Sequence, residues 1–238
     1  MMVLVTGASG SGKSEYAENL AVKLAGKKNQ DTGNKIPDAD HASEICDGYL
    51  SAESHKLYYL ATMRVYGEDG MCRVERHRKL RAGKGFYTVE CPINVDEAFS
   101  EILMCVGDES GRKSSMPVAL LECMSNLVAN EMFPEPGDEQ ERGCMEEENP
   151  AEQNDVYITK KQQKETNSCA KNIIRQIRHL RDQTAHLVVV TNQIFEDGIT
   201  YEPGTTEYIR NLGQINQLLA EMADSVVEVV AGIPLLIK

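Results

Sequence analysis

Six short segments of the chain are apolar almost without interruption and rich in β-branched or aromatic residues. They are MVLVT at the start, LYYLA at 57–61, FYTVE at 86–90, PVALLE at 117–122, LVVVT at 187–191 and SVVEVV at 225–230. Each has the length of a strand, and none alternates polar with apolar residues as a half-exposed strand would. Between them the apolar positions recur with a helical period, over roughly 71–81, 94–106, 123–132, 167–182 and 205–223, and again directly after MVLVT. Strands apolar on both faces and interleaved with helices predict an α/β fold, a mostly parallel sheet flanked by helices on both sides. Two segments break the pattern, at about 27–55 and 134–165, and read as solvated insertions in a single domain spanning 1–238. From Pro134 to Asp155 nine residues are acidic and one is basic, so this segment carries −8 of the chain's formal −12.

Between the first strand and the first helix lies Gly7-Ala8-Ser9-Gly10-Ser11-Gly12-Lys13-Ser14, a complete G-x-x-x-x-G-K-S phosphate loop. Glycines let successive backbone N–H groups turn toward phosphate oxygens, and the helix N-terminus adds partial positive charge. Lys13 is placed to reach the β and γ phosphates, and the Ser14 hydroxyl to ligate Mg²⁺. The chain is therefore expected to bind a nucleoside triphosphate. In parallel sheets ligands bind at the carboxyl ends of the strands, which here carry Ala61-Thr62-Met63, Glu90, Glu122 and Thr191-Asn192. Glu122 ends an apolar strand, where phosphate-loop enzymes keep an acidic Mg²⁺ partner; capping the helix that follows is its alternative role.

Charge changes the picture at one place. The stretch RVERHRKLR, 73–81, holds five of the chain's 25 Lys and Arg residues around His77, in a protein that is otherwise acidic. It is open to reading as a solvated helix face or as a nucleic-acid patch. The overall acidity and the lack of interleaved aromatics speak against the latter and against a membrane surface. If the stretch is helical, Arg73, His77 and Arg81 share one face. Two guanidinium groups there would favour the neutral, nucleophilic imidazole and could grip a polyphosphate. Seven cysteines without a C-x-x-C spacing read as reduced thiols, no apolar run approaches 18 residues, and the expected location is the cytoplasm.

Taken together, LVTGASGSGKS, YLAT at 59–62, RVERHRKLR followed by YTVE, LLECMSNLVAN at 120–130, VVVTN at 188–192 and the ending INQLLAEMADSVVEVVAGIPLLIK resemble the bifunctional adenosylcobinamide kinase/adenosylcobinamide-phosphate guanylyltransferase family of cobalamin assembly. The resemblance implies a P-loop NTPase fold of RecA-like architecture and a homotrimer. It implies phosphorylation of adenosylcobinamide by GTP or ATP. Transfer of GMP from GTP through a guanylyl-histidine then gives adenosylcobinamide-GDP. It implies His77 as the nucleophile and Lys13 as the second catalytic residue. Nucleotide contacts would come from Gly7 to Ser14, Ala61, Thr62, Met63, Arg73, Lys79, Leu80, Arg81, Ala82, Glu90 and Glu122, with Mg²⁺ at Ser14 and Glu122. The sequence departs from the family pattern at Gly10, where arginine is usual, at Gln193 to Phe195 and at Asn211. These departures bear on the corrinoid side of the reaction. An enzyme retaining only one of the two activities, or a nucleotide-binding regulatory or assembly protein, are the alternative functions.

Overall fold

The computed structural model describes residues 1–26, 54–65, 67–105, 115–135, 155–194 and 198–238, with backbone alone at 67–70, 73, 76, 80 and 155–168. Both expected insertions fall mostly outside the described residues, as do the side chains of Arg73 and Leu80. Seven strands form one sheet: β1 (Met2–Thr6), β2 (Leu57–Ala61), β3 (Tyr87–Glu90), β4 (Val118–Glu122), β5 (His186–Val190), β6 (Ser225–Val230) and β7 (Ile233–Leu236). Their spatial order is β3-β2-β4-β5-β1-β6-β7. All neighbours pair in parallel except β6 and β7, which form an antiparallel edge. Six helices connect them: α1 (Lys13–Leu24), α2 (Gly67–Arg81), α3 (Val95–Cys105), α4 (Met124–Met132), α5 (Asp155–Asp182) and α6 (Pro203–Met222).

Successive side chains of a strand point to opposite faces, and both faces of the central strands β1, β2, β4 and β5 are dry. In β3, expected to be buried as well, only Val89 is buried, because the strand lies at the sheet edge. Met2, Leu4, Tyr58, Leu60, Leu121 and Val189 join α3, α4, α5 and α6 in one core. Val3, Val5, Leu57, Tyr59, Leu120 and Val188 pack with α1 in the other. This explains why the strand sequences do not alternate. The expected mostly parallel sheet with flanking helices is the observed fold. The strand that ends in Glu122 is separated from the phosphate-loop strand by β5.

Three elements depart from expectation, the first being α2, which begins at Gly67 rather than about 71. Helix α5 begins at Asp155 rather than 167, so the end of the second expected insertion is helical. Its added residues include KKQQKE, good helix formers that lack the apolar stripe on which the sequence reading relied. The strand β7 was not anticipated, because IPLL is short and contains a proline. That proline is tolerated on an edge strand. His55, placed at the end of the first insertion by the sequence, is buried, and its backbone N–H donates to Ala25 O at 3.0 Å. Among the described residues, no helix is long and apolar enough to cross a membrane.

Helix α3 is fastened twice. Phe99 is fully buried and meets Tyr58 edge-to-face at 5.3 Å between centroids. The carboxylate of Asp96, also fully buried, accepts from Arg175 at 3.2 Å and pairs with His179 at 3.0 Å on α5. At the opposite end of the sheet from the phosphate loop, His186 is buried beside His55, with ring centroids 6.0 Å apart. Burial chiefly, with the nearby terminal ammonium and His55, pulls the His186 pKa down to about 4.

Replacing Phe99 by alanine should cost about 3–5 kcal/mol through lost transfer energy and the cavity left behind. Urea denaturation should show a lower midpoint at unchanged slope. His186 is held neutral when folded, so from its ordinary value of 6.5 down to about 4 the unfolded chain binds a proton that the folded chain does not. Stability should therefore fall as pH drops through that window, and His186→Gln should flatten the fall in denaturation midpoints measured at successive pH values.

Candidate active site

The phosphate loop leaves β1 at the carboxyl edge of the sheet, and its shape demands glycine at both ends. Gly7 has φ +153°, and a Cβ there would lie 2.6 Å from Val229 O. Gly12 has φ +90°, and its Cβ would press to 3.3 Å from Gly232 Cα. The loop is buttressed on both sides, since Gly232 N–H donates to Ser11 O at 2.8 Å and Gln193 N–H to Gly7 O at 3.2 Å. Lys13 is buried and its Nζ donates to Ala8 O at 3.1 Å. Burial lowers its pKa, while Cys123 and Glu122 act in the opposite direction.

Glu122 ends β4 and faces this loop. The hydroxyl of Ser14 donates to one of its carboxylate oxygens, and the Tyr59 hydroxyl donates to the other at 2.9 Å. Helix-capping is not its role, because Cys123 occupies the N-cap of α4 and no side chain caps it. Burial, followed by the Glu122 charge, pushes the Tyr59 hydroxyl well above its usual range, so it remains a donor. The guanidinium of Arg81 lies 3.6 Å from the centroid of the Tyr59 ring, a cation–π contact that fixes the end of α2 against β2.

That contact brings His77 over the strand ends. His77, Glu90, Glu122, Ala61, Met63 and Arg81 all border a cleft of about 110 Å³. Donor atoms of Glu18, His77 and Glu122 lie within 4.8 Å of one another. Glu18 is fully buried on α1 and pairs with Lys84 at 2.7 Å. Burial raises its pKa, and the hydrogen bond and charge of Lys84 oppose the rise. The chemistry of the donor set fits Mg²⁺: the Ser14 hydroxyl and the Glu122 carboxylate are hard oxygen ligands already in contact at the helix N-terminus.

Some of the other expected residues fall elsewhere. Thr62 is buried and structural, its hydroxyl donating to Cys123 O and accepting from Cys123 N–H, both at 2.8 Å. Lys79 is exposed and pairs with Glu75 at 3.1 Å, away from the cleft. Ala82 borders a neighbouring hollow of about 390 Å³ shared with Arg78, Arg81 and Phe86. Glu90 reaches the cleft while accepting from Arg78 at 3.0 Å. The sequence reading missed Glu18, Tyr59 and Lys84. Glu18 was findable, since it stands one helical turn after Ser14 and so shares its face of α1. Beyond the phosphate loop, a larger groove of about 1410 Å³ runs beside α6, bordered by Thr6, Ala8, Gln193, Tyr208, Arg210 and Asn216.

Residues 39–237 match the family described as cobinamide kinase / cobinamide phosphate guanyltransferase. The phosphate loop precedes that match, but relatives aligned over the whole chain include it. The bifunctional adenosylcobalamin biosynthesis protein CobU of Escherichia coli (strain K12) is 26% identical over 239 residues, covering 100% of both chains. Its namesake from Salmonella typhimurium (strain LT2) is 28% identical over 239 residues, again covering 100% of both. Among solved structures, an ATPase domain aligns with 95% of this chain and 68% of its own, with a TM-score of 0.37 and 9% identity. With the family match spanning 39–237, the chain belongs to the cobinamide kinase / cobinamide phosphate guanyltransferase family.

Proposed function

We propose that the protein phosphorylates adenosylcobinamide and then transfers GMP from GTP to the product, giving adenosylcobinamide-GDP through a guanylyl group carried on His77. One observation carries this reading: His77 stands within 4.8 Å of Glu122, the carboxylate that accepts from Ser14 of the phosphate loop. A triphosphate seated in the loop would thus lie beside a nucleophile as well as beside the groups that serve phosphoryl transfer.

In the kinase step Lys13 and the loop N–H groups hold the β and γ phosphates of GTP or ATP. The substrate hydroxyl attacks the γ phosphorus, and the nucleoside diphosphate leaves. Mg²⁺ held by Ser14 and Glu122 would neutralise charge building on the phosphate oxygens. In the transfer step an imidazole nitrogen of His77 attacks the α phosphorus of GTP. The bond to pyrophosphate breaks and its electron pair leaves with it. The phosphate of the kinase product then displaces the imidazole. Arg81, beside His77 in the cleft, is suited to offset charge on the transferring group. The groove beside α6 has the size for a corrinoid, opens next to the phosphate loop and sets neutral polar side chains such as Gln193, Gln214 and Asn216 among apolar ones. Such a lining suits a substrate whose ring edge carries primary amides. The same family reading extends to a homotrimer in the cytoplasm.

Lys13→Ala should slow both reactions by about a hundredfold or more, as expected when a buried cation facing phosphate charge is removed. Steady-state kinase and guanylyl-transfer assays check this, and full activity would remove the phosphate loop from the mechanism. With GTP labelled at the α phosphate, the wild-type protein should acquire one GMP, labile in acid and stable in base as a phosphoramidate is. His77→Asn should abolish the adduct and the release of pyrophosphate while leaving phosphorylation of adenosylcobinamide in place. Peptide mapping of the label to any residue other than His77 would refute the assignment.

A further inference from the structure

Glu18 combines three properties that the two reactions as described do not use. Its side chain is fully buried although it is a carboxylate. Only Oε2 is committed, to Lys84 at 2.7 Å, and among the described residues Oε1 is buried with no hydrogen-bond partner. A donor atom of the same carboxylate stands within 4.8 Å of one on His77. Leaving a carboxylate oxygen dry and unpartnered costs free energy unless some state of the protein satisfies it.

We propose that Glu18 is a positioning residue for His77, its Oε1 accepting the imidazole N–H of the ring nitrogen that does not attack. The inference rests on the guanylyl-transfer reading above. The imidazole must present one nitrogen with its lone pair toward the α phosphorus, and a carboxylate on the other nitrogen fixes both the tautomer and the ring plane. During attack an N–P bond forms and the P–O bond to pyrophosphate breaks. The proton stays on the other nitrogen, so the guanylylated ring is cationic, and the Glu18 charge faces it. When the acceptor phosphate displaces the ring, the N–P electron pair returns to the imidazole and the same hydrogen bond remains. Lys84 keeps the carboxylate anchored through Oε2, leaving Oε1 as the free arm. Oε1 makes no such hydrogen bond among the described residues, which is usual before the substrate draws a site together.

The test compares wild type with Glu18→Gln in the full chain. One readout is the single-turnover rate of GMP adduct formation at saturating GTP and Mg²⁺. The second is independent of turnover: the proton NMR signal of the His77 ring N–H, assigned by ¹⁵N labelling, with GTP bearing a methylene bridge between its α and β phosphorus atoms. We expect a protected, downfield N–H signal in wild type that is lost in Glu18→Gln. Adduct formation should slow by about a hundredfold, with the dissociation constant for GTP changed less than about threefold. If the glutamine variant does not fold, Glu18→Asp retains the charge and the Lys84 partner but withdraws the carboxylate by one methylene. It should form the adduct at a rate reduced by about tenfold. A wild-type rate in either folded variant, with the label still on His77, overturns the role of Glu18 and leaves guanylyl transfer standing. The absence of any adduct on wild-type His77 overturns both.

Discussion

Glu122 accepts two hydrogen bonds from different parts of the fold: the hydroxyl of Ser14, at the start of α1, and that of Tyr59, on β2. A buried carboxylate without such donors would be costly, so the positions of β2, β4 and the phosphate loop are tied to one another through this side chain. The backbone reinforces the tie, because Thr62 N–H donates to Glu122 O at 3.0 Å and the Thr62 hydroxyl serves both polar groups of Cys123. Tyr59 then carries the constraint outward, since the face of its ring holds Arg81. His77 lies one turn before Arg81 on α2. His77 is thus linked to the phosphate loop through a short chain of contacts: Ser14 to Glu122, Glu122 to Tyr59, Tyr59 to Arg81.

The strand order makes this possible. Because β5 lies between β1 and β4, Glu122 approaches the loop from two strands away, and room is left at the sheet edge for side chains from α1 and α2. On the other side of the loop, α6 and the end of β5 border the larger groove. The phosphate loop therefore stands between two spaces of different size and character. The two-step reaction proposed above, which must hold one nucleotide and one bulky substrate, would have use for such a division.

Much of this was legible in the sequence. The unbroken apolar runs of β1, β2, β4 and β5 reported their burial on both faces, FYTVE did not, and Gly7 to Ser14 announced the loop. Glu122 was identifiable from its place at the end of a buried strand. What escaped has physical reasons. The tyrosine at position 59 looked like one more apolar strand residue, because its hydroxyl partner is set by tertiary contact alone. The family resemblance placed Thr62 and Lys79 among the nucleotide contacts, yet the hydroxyl of one is consumed by backbone groups and the side chain of the other turns to solvent toward Glu75. Glu18 was overlooked among the polar positions of an amphipathic helix, where a carboxylate normally faces water, although its spacing from Ser14 put it on the same face of α1. The start of α5 was invisible because a helix can extend through residues of good propensity without any apolar stripe.

The concentration of positive charge around His77 in an acidic protein also acquires a physical account. Arg78 pairs with Glu90, Lys79 with Glu75 and Lys84 with Glu18, while Arg81 stacks on Tyr59. Cations engaged in this way are poor material for tracking a polymer backbone, which needs a broad surface of charges free to exchange counterions. They are better suited to a small, fixed anion. The exposed pairs, Arg78 with Glu90 and Lys79 with Glu75, are weak and can exchange partners at little cost. The buried pair of Lys84 and Glu18 and the Arg81 stack are not exchanged so cheaply. Among the described cations near His77, Arg81 and Lys84 thus form an inner set that fixes geometry, and Arg78 and Lys79 an exposed set that can follow a phosphate group.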